Sequence, residues 1–166
     1  DGKRLAFLRF DESLVPEITM DMYTGKDYPE EVTFKYPKVG EKNAVVTAHL
    51  YDLASAKTQE IQIPDRQPEK DDYLPRLDWT PTGKVCLTWM NRHQNQKRLV
   101  LADPATGNCS TLLEENSKYY LDLHDVTFLS DGSGFIIQSE KSGFNHLYKY
   151  NMQGQEVAAL TKGKWD

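Results

Sequence analysis

Three segments built on one plan constrain this chain more than any local propensity does. Each begins with a Gly-centred turn and an apolar run: "DGKRLAFLRF" from Asp1, "TGKVCLTWM" from Thr82 and "DGSGFIIQS" from Asp131. Each continues with a second apolar run closed by a polar turn: "VVTAHLYDLASAKTQEI" from Val45, "KRLVLADPATGNCSTLL" from Lys97 and "NHLYKYNMQGQEVAALT" from Asn145. The register between them holds, because Tyr51-Asp52-Leu53, Ala102-Asp103-Pro104 and Tyr150-Asn151-Met152 fall at the same place. Ahead of the second and third turns stand "YLPRLDWTP" and "YLDLHDVTFLS", read as the first strand of each unit.

The plan amounts to four short strands per unit, repeating at about 49 positions between Gly83 and Gly132. That is the period of four-stranded antiparallel β-propeller blades. β-branched and aromatic enrichment, with hardly a ten-residue helical stripe, supports an all-β fold. The expected architecture is about three blades of a larger propeller, forming a single partial domain over 1–166. The blades are placed at 1–63 (partial, with an arm at 12–43), 73–113 and 119–162. The abrupt opening in a turn reads as a cut inside a larger protein.

The first unit carries an interruption of about thirty residues, Glu12 to Asn43, where the others have turns such as "NRHQNQ" and "KSGF". Within it Val32, Phe34 and Tyr36 alternate with Thr33 and Lys35, and Pro16, Pro29 and Pro37 punctuate the stretch. Alternation between prolines suits an edge strand whose apolar face needs a partner, so a projecting hairpin is expected, with residues 18–43 standing away from the blades.

A formal net charge of -5 gives no electrostatic reason to expect nucleic acid or an anionic membrane. The two cysteines lack the spacing of a metal knuckle, and no metal or cofactor is expected. Cys86 falls on a second strand and Cys109 on a fourth. One strand between them implies a separation near 10 Å, at roughly 4.8 Å per step. That exceeds the roughly 7 Å that a disulfide spans, so both thiols are expected free.

Together, "DGKRLAFLRFDESLVPEITM", "FKYPKVGEKNAVV", "YLPRLDWTPTGKV", "YLDLHD" and "SEKSGFNHLYKY" followed by "LTKGKWD" resemble the prolyl dipeptidyl peptidases of the dipeptidyl peptidase IV type. The resemblance is to the N-terminal propeller that precedes their α/β-hydrolase domain, and it runs through nearly the whole chain. It implies a parent serine exopeptidase that removes N-terminal dipeptides, preferably after proline, acts on peptides, is often a homodimer and is exported to the periplasm or cell surface. In such enzymes the propeller gates access while the nucleophile lies in the hydrolase domain in cis. No Gly-x-Ser-x-Gly elbow occurs here and "DGSGF" is a turn, so no catalytic residue is assigned and the chain alone is not expected to cleave peptides.

The family holds the substrate amine with a Glu-Glu pair upstream of the turn matching Asp1-Gly2, outside this chain. Two pairs imitate it in composition, Glu30-Glu31 on the arm and Glu114-Glu115 before a first strand. Some relatives place an aromatic and an arginine near the position of Tyr119 and Tyr120, extending the substrate pocket. This chain has "YYLDLHD" there, and Tyr120 ahead of Tyr119 is the candidate substrate contact. The resemblance also makes the insertion an arm through which two propellers associate, with Tyr28, Pro29, Val32, Phe34, Tyr36 and Pro37 as the contact.

If substrate anchors precede first strands, one rim gathers Pro64 to Asp72, Glu114 to Tyr120, Asn91 to Gln96, Lys141 to Phe144 and the arm. Structural roles are expected for the remaining polar and aromatic residues. His124 and His146 are read as hydrogen-bonded within blades, Trp79 and Trp89 as packed between blades, and Arg92 as a turn charge. Asp52, Asp103 and Asn151 are read as bonding their own turns. Two rivals remain: a propeller-type interaction module with no peptidase activity, and a glycoside-processing propeller, which needs paired carboxylates that the sequence does not supply.

Overall fold

The computed structural model describes residues 2–67 and 72–166. Among the described residues thirteen strands follow one another and there is no helix. The first sheet is built from β1 (Arg4–Asp11), β4 (Val45–Asp52) and β5 (Lys57–Glu60), interrupted by a separate hairpin of β2 (Glu17–Met22) and β3 (Glu30–Lys35). The second takes β6 (Tyr73–Trp79), β7 (Val85–Met90), β8 (Gln96–Ala102) and β9 (Cys109–Asn116) in sequence order. The third takes β10 (Thr127–Phe128), β11 (Gly134–Ser139), β12 (His146–Asn151) and β13 (Glu156–Ala159) in the same way. All pairings are antiparallel, and β1, β7 and β11 occupy the same position in their units.

The fold is therefore all-β and built of propeller blades, and the middle sheet shows why its strands read as unbroken apolar runs. Val85 and Leu87 of β7 join Val100 and Ala102 of β8 in a core shared with Ala48 and Leu50 of β4. The intervening residues, Cys86, Leu99 and Leu101, face the other way and pack on Phe135, Ile137, Tyr148 and Tyr150 of the third sheet. A strand covered on both faces has no solvent side, so the period-2 alternation disappears.

The turns after β4, β8 and β12 repeat one device. Asp52 Oδ1 accepts the Ser55 N–H at 2.9 Å, Asp103 Oδ1 the Ala105 N–H at 2.7 Å, and Asn151 Oδ1 the Gln153 N–H at 3.0 Å. The Ser55 backbone and hydroxyl donors hold the Asp52 carboxyl below its ordinary range. Gly154 has φ 75°, and a Cβ there would meet the Leu112 carbonyl at 1.8 Å, so this turn needs glycine for both conformation and space. Gly107, four residues after Asp103, is left-handed at φ 73°, and the matching place four residues after Asp52 is taken by Ala56 at φ 52°.

Two expectations are corrected. Of "YLDLHDVTFLS" only Thr127 and Phe128 form a strand, paired with Ile136 and Phe135. Residues 119–126 run as a loop, because the Leu121 N–H is taken by the Gln94 carbonyl at 2.8 Å rather than by a neighbouring strand. Trp79 is 44% exposed at the end of β6, where it lines a surface cleft with Gly2 and Arg4 of the first unit instead of being buried between blades. Trp89 does pack against the core of the first two sheets.

Candidate functional site

The turn between β7 and β8 organises one rim of the molecule. Asn91 Oδ1 accepts the backbone N–H of Asn95 at 3.0 Å and of Gln96 at 3.1 Å, while its Nδ2 donates to Asn95 Oδ1 at 2.7 Å. This self-bonded turn puts Gln94 in the left-handed region, φ 52°, with its groups presented outward. Gln94 then grips the loop after β9 twice, through the Leu121 N–H and by accepting the Tyr120 hydroxyl at 2.8 Å. The Asn95 carbonyl takes the Ser117 N–H at 2.9 Å. Residues 117–121 are thus held by a neighbouring turn rather than by strand pairing.

Two clefts meet at Tyr120. One, of about 500 Å³, is mainly apolar and is bounded by Phe10, Pro37, Tyr73, Met90 and Tyr120, with Asp72 and Gln94 as polar lining. The other, of about 610 Å³, carries Glu114, Tyr119, Tyr120, Glu140 and Lys141. Tyr120 is 58% exposed and Tyr119 is 71% exposed, with the Lys118 ammonium 5.3 Å from the Tyr119 ring centre. The rim anticipated from strand direction does bring together the arm base, the 91–96 turn and the 114–120 connection. Residues 68–71 of the Pro64–Asp72 connection lie outside the described residues.

Beneath the first cleft lies a charge network that the sequence reading missed. Asp72 receives Arg66 Nε at 2.6 Å, Arg66 Nη2 at 2.7 Å and Trp89 Nε1 at 2.5 Å, and both partners of the ion pair are nearly fully buried. The same Arg66 Nη2 reaches the Val46 carbonyl, while the Arg98 guanidinium sits 4.0 Å over the Trp89 ring and its Nη1 donates to the Pro64 carbonyl at 3.1 Å. These bonds tie the first sheet to the second at the cleft wall. Trp89 and Arg98 are opposed on neighbouring strands of one blade and Asp72 enters that same blade, while the bond of Arg66 to the Val46 carbonyl of β4 is the one that spans two blades, which no spacing in the sequence announces.

Neither glutamate pair forms a pincer. Glu30-Glu31 and Glu114-Glu115 both lie on strands, and adjacent strand residues point to opposite faces. Glu30 is paired with Lys26, Glu114 accepts from Asn116 Nδ2 at 2.8 Å, and Glu115 is paired with the buried Lys97 at 2.7 Å. His146 is buried, with Nε2 3.0 Å from the Gly163 carbonyl and Nδ1 3.2 Å from Thr161 Oγ1, which is a structural setting. His124 lies in the loop between Arg76 and Gln138, beside the exposed Arg76–Asp125 pair at 3.1 Å. Arg92 rests its guanidinium 5.9 Å from the Tyr73 ring centre.

Lys141 is held by Glu156 and by the Tyr150 hydroxyl at 2.7 Å, and lies 3.9 Å from the Tyr148 ring centre. Burial works against its charge, but the bonds to Glu156 and Tyr150 outweigh it and raise its pKa. Both cysteines are free. Burial pushes the Cys86 thiol up to about 12, with Asp78 adding to the effect, and pushes Cys109 up to about 11.

The hairpin arm stands beside the first cleft. Ile18, Met20 and Met22 oppose Phe34, Val32 and Glu30, while Glu17, Thr19 and Asp21 oppose Lys35, Thr33 and Glu31. One face is thus largely apolar and the other polar, and every residue of β3 is exposed. Tyr28, at 83% exposure, and Pro29 lie at the tip, whereas Tyr36 and Pro37 lie at the base.

Comparison with known proteins locates this architecture. Residues 1–166 match the dipeptidyl peptidase IV (DPP IV) N-terminal region. The chain is 32% identical over 178 residues to inactive dipeptidyl peptidase 10 of Mus musculus, with 100% of this chain and 22% of that protein covered. It is 33% identical over 178 residues to dipeptidyl peptidase 4 of Trichophyton equinum, covering 100% of this chain and 23% of the relative. The crystal structure of Porphyromonas gingivalis dipeptidyl peptidase 4 superposes with a TM-score of 0.89 at 38% identity, over 99% of this chain and 23% of that one. The chain spans less than a quarter of the length of these relatives. All-β blades, a hairpin arm and a match along the entire sequence make this chain a member of the dipeptidyl peptidase IV family, corresponding to its N-terminal region.

Proposed function

We propose that this chain is a noncatalytic propeller segment of a dipeptidyl peptidase IV-like serine exopeptidase that removes N-terminal dipeptides, preferably after proline. The segment serves substrate access and dimerisation, in cis to an α/β-hydrolase domain. The observation that carries the reading is the rim itself, where Tyr120 stands between two clefts beside an arm with an uncovered apolar face. Aromatic walls and a few polar groups suit an extended peptide whose side chains are taken up without base chemistry.

The test uses the full-length protein and a chromogenic X-Pro substrate. Hydrolysis is expected, with Tyr120→Ala raising KM several-fold at nearly unchanged kcat, as for a group that binds ground state and transition state alike. A KM equal to that of the parent excludes Tyr120 as a substrate contact. A second reading, an interaction module without peptidase activity, is favoured by the similarity to an inactive relative. It gains if the full-length protein leaves every X-Pro substrate intact.

A further inference from the structure

Two adjacent tyrosines lie in the connection after β9, and they are held differently. The Tyr120 hydroxyl donates to Gln94 Oε1 at 2.8 Å, while the Gln94 carbonyl takes the Leu121 N–H at 2.8 Å. Tyr119 is bonded through its backbone, by N–H donation to Ser117 Oγ at 3.0 Å, and its ring meets the Lys118 ammonium. Both tyrosines line the second cleft, but Tyr120, together with Gln94, also lines the first.

An exposed ring fixed by a bond at its far end differs physically from one left to its rotamers. Tyr120 is 58% exposed, so packing alone does not fix its side-chain torsions; the hydroxyl bond does. A ligand that stacks on an unfixed ring must order it on binding, which corresponds to roughly two- to tenfold in affinity for one such side chain. Gln94 orders the ring beforehand. The bond also occupies the one donor of the hydroxyl, so toward a peptide Tyr120 offers an apolar ring and an acceptor.

The backbone of Gln94 makes the choice of residue informative. It is left-handed at φ 52°, a conformation that glycine and asparagine adopt more readily than glutamine. The turn is held in that form by the Gln94 N–H, which donates to the Asn91 carbonyl at 2.9 Å, and by Asn91 Oδ1, which accepts from Asn95 and Gln96. Backbone geometry alone would therefore favour glycine or asparagine here. Asparagine, one methylene shorter, falls short of the Tyr120 hydroxyl from the same backbone. The reach to Tyr120 is what glutamine adds.

We propose that Gln94 is a positioning residue for substrate, holding the Tyr120 ring at the boundary of the two clefts in the orientation that receives the peptide. This rests on the reading of Tyr120 as a substrate contact. In the full-length protein, assayed on a chromogenic X-Pro substrate, Gln94→Asn is expected to raise KM roughly two- to tenfold with kcat nearly unchanged, because a preordered contact serves ground state and transition state alike. The thermal midpoint is expected to stay at or slightly above that of the parent, since asparagine suits the left-handed backbone and the bond to Leu121 is unaltered. Tyr120→Phe, which removes only the hydroxyl, is expected to match Gln94→Asn, and the double variant to be no worse than either.

Three results overturn the positioning role while Tyr120→Ala still raises KM. One is a Gln94→Asn KM equal to that of the parent. Another is a double variant whose rise in KM is the product of the single rises, which would make Gln94 act independently of Tyr120. The third is a fall in kcat and thermal midpoint together, as for a turn that only holds the fold. In each case the substrate contact stands and Gln94 has no part in it. If Tyr120→Ala leaves KM unchanged, or the full-length protein hydrolyses no X-Pro substrate, the contact itself falls and the positioning role falls with it.

Discussion

The middle blade and the arm are both antiparallel β-structure, yet they satisfy their side chains in opposite ways. β7 lies between two neighbouring sheets, and five of its six residues are buried. β3 exposes all six, although Val32 and Phe34 are as apolar as anything in the blade. The difference shows that apolar content does not decide burial; the second layer does. A blade finds that layer in the next repeat, whereas the arm has none within the described residues. The blade is therefore a unit of stability, and the arm, on the function proposed above, a unit of association.

That contrast is open to attack, beginning with the largest effect. Asp72→Ala is expected to cost about 3–5 kcal/mol in urea unfolding of the full-length protein, because it leaves the Arg66 charge buried without its partner. A loss below about 1 kcal/mol would show that the two-blade junction is not a stability element. Next, Leu87→Ala in β7, which is fully buried, is expected to cost about 2–5 kcal/mol. Phe34→Ala on the arm is expected to cost under about 1 kcal/mol of blade stability while weakening the dimer. Equal losses at Leu87 and Phe34 would erase the distinction between blade and arm.

The smallest expected effect lies in the turn after β4. Ala56 pays for its left-handed backbone where Gly107 and Gly154 do not. Ala56→Gly relieves that strain but adds chain entropy to the unfolded state, so a net gain below about 1 kcal/mol is expected in thermal unfolding. A clear destabilisation would mean that the turn's side-chain bonds, rather than its backbone angle, set its cost.

Much of the fold was legible because its determinants are local. The turn residues Asp52, Asp103 and Asn151 act within a few positions of themselves, and all three make the bonds expected of them. The alternation of Val32, Phe34 and Tyr36 with Thr33 and Lys35 reports a hairpin with two unlike faces, which is how β2 and β3 pair. Even the free thiols follow from strand order, since β8 lies between Cys86 and Cys109.

The 119–126 loop escaped that reasoning. "YLDLHDV" alternates like a strand, but the grip of Gln94 on Tyr120 and Leu121 competes with pairing, and Gln94 is remote in sequence. Trp79 likewise, whose size suggested a blade interface, ends β6 beside the Thr80–Gly83 turn with nearly half its surface exposed. Glu30-Glu31 carried its answer in the expected edge strand, because adjacent carboxylates on a strand diverge, whereas Glu114-Glu115, read as part of a connection, lies on β9, which runs on to Asn116.

By itself, the sequence determined the repeat, the all-β class, the place of the arm and the turn chemistry, all of which depend on spacing along one chain. The tertiary structure decided what the packing of blades creates: the tie from Arg66 to the Val46 carbonyl beside Asp72 and Trp89, and the clefts that meet at Tyr120. The physical reason is that periodicity encodes which side of a strand is apolar, but not what comes to lie against it.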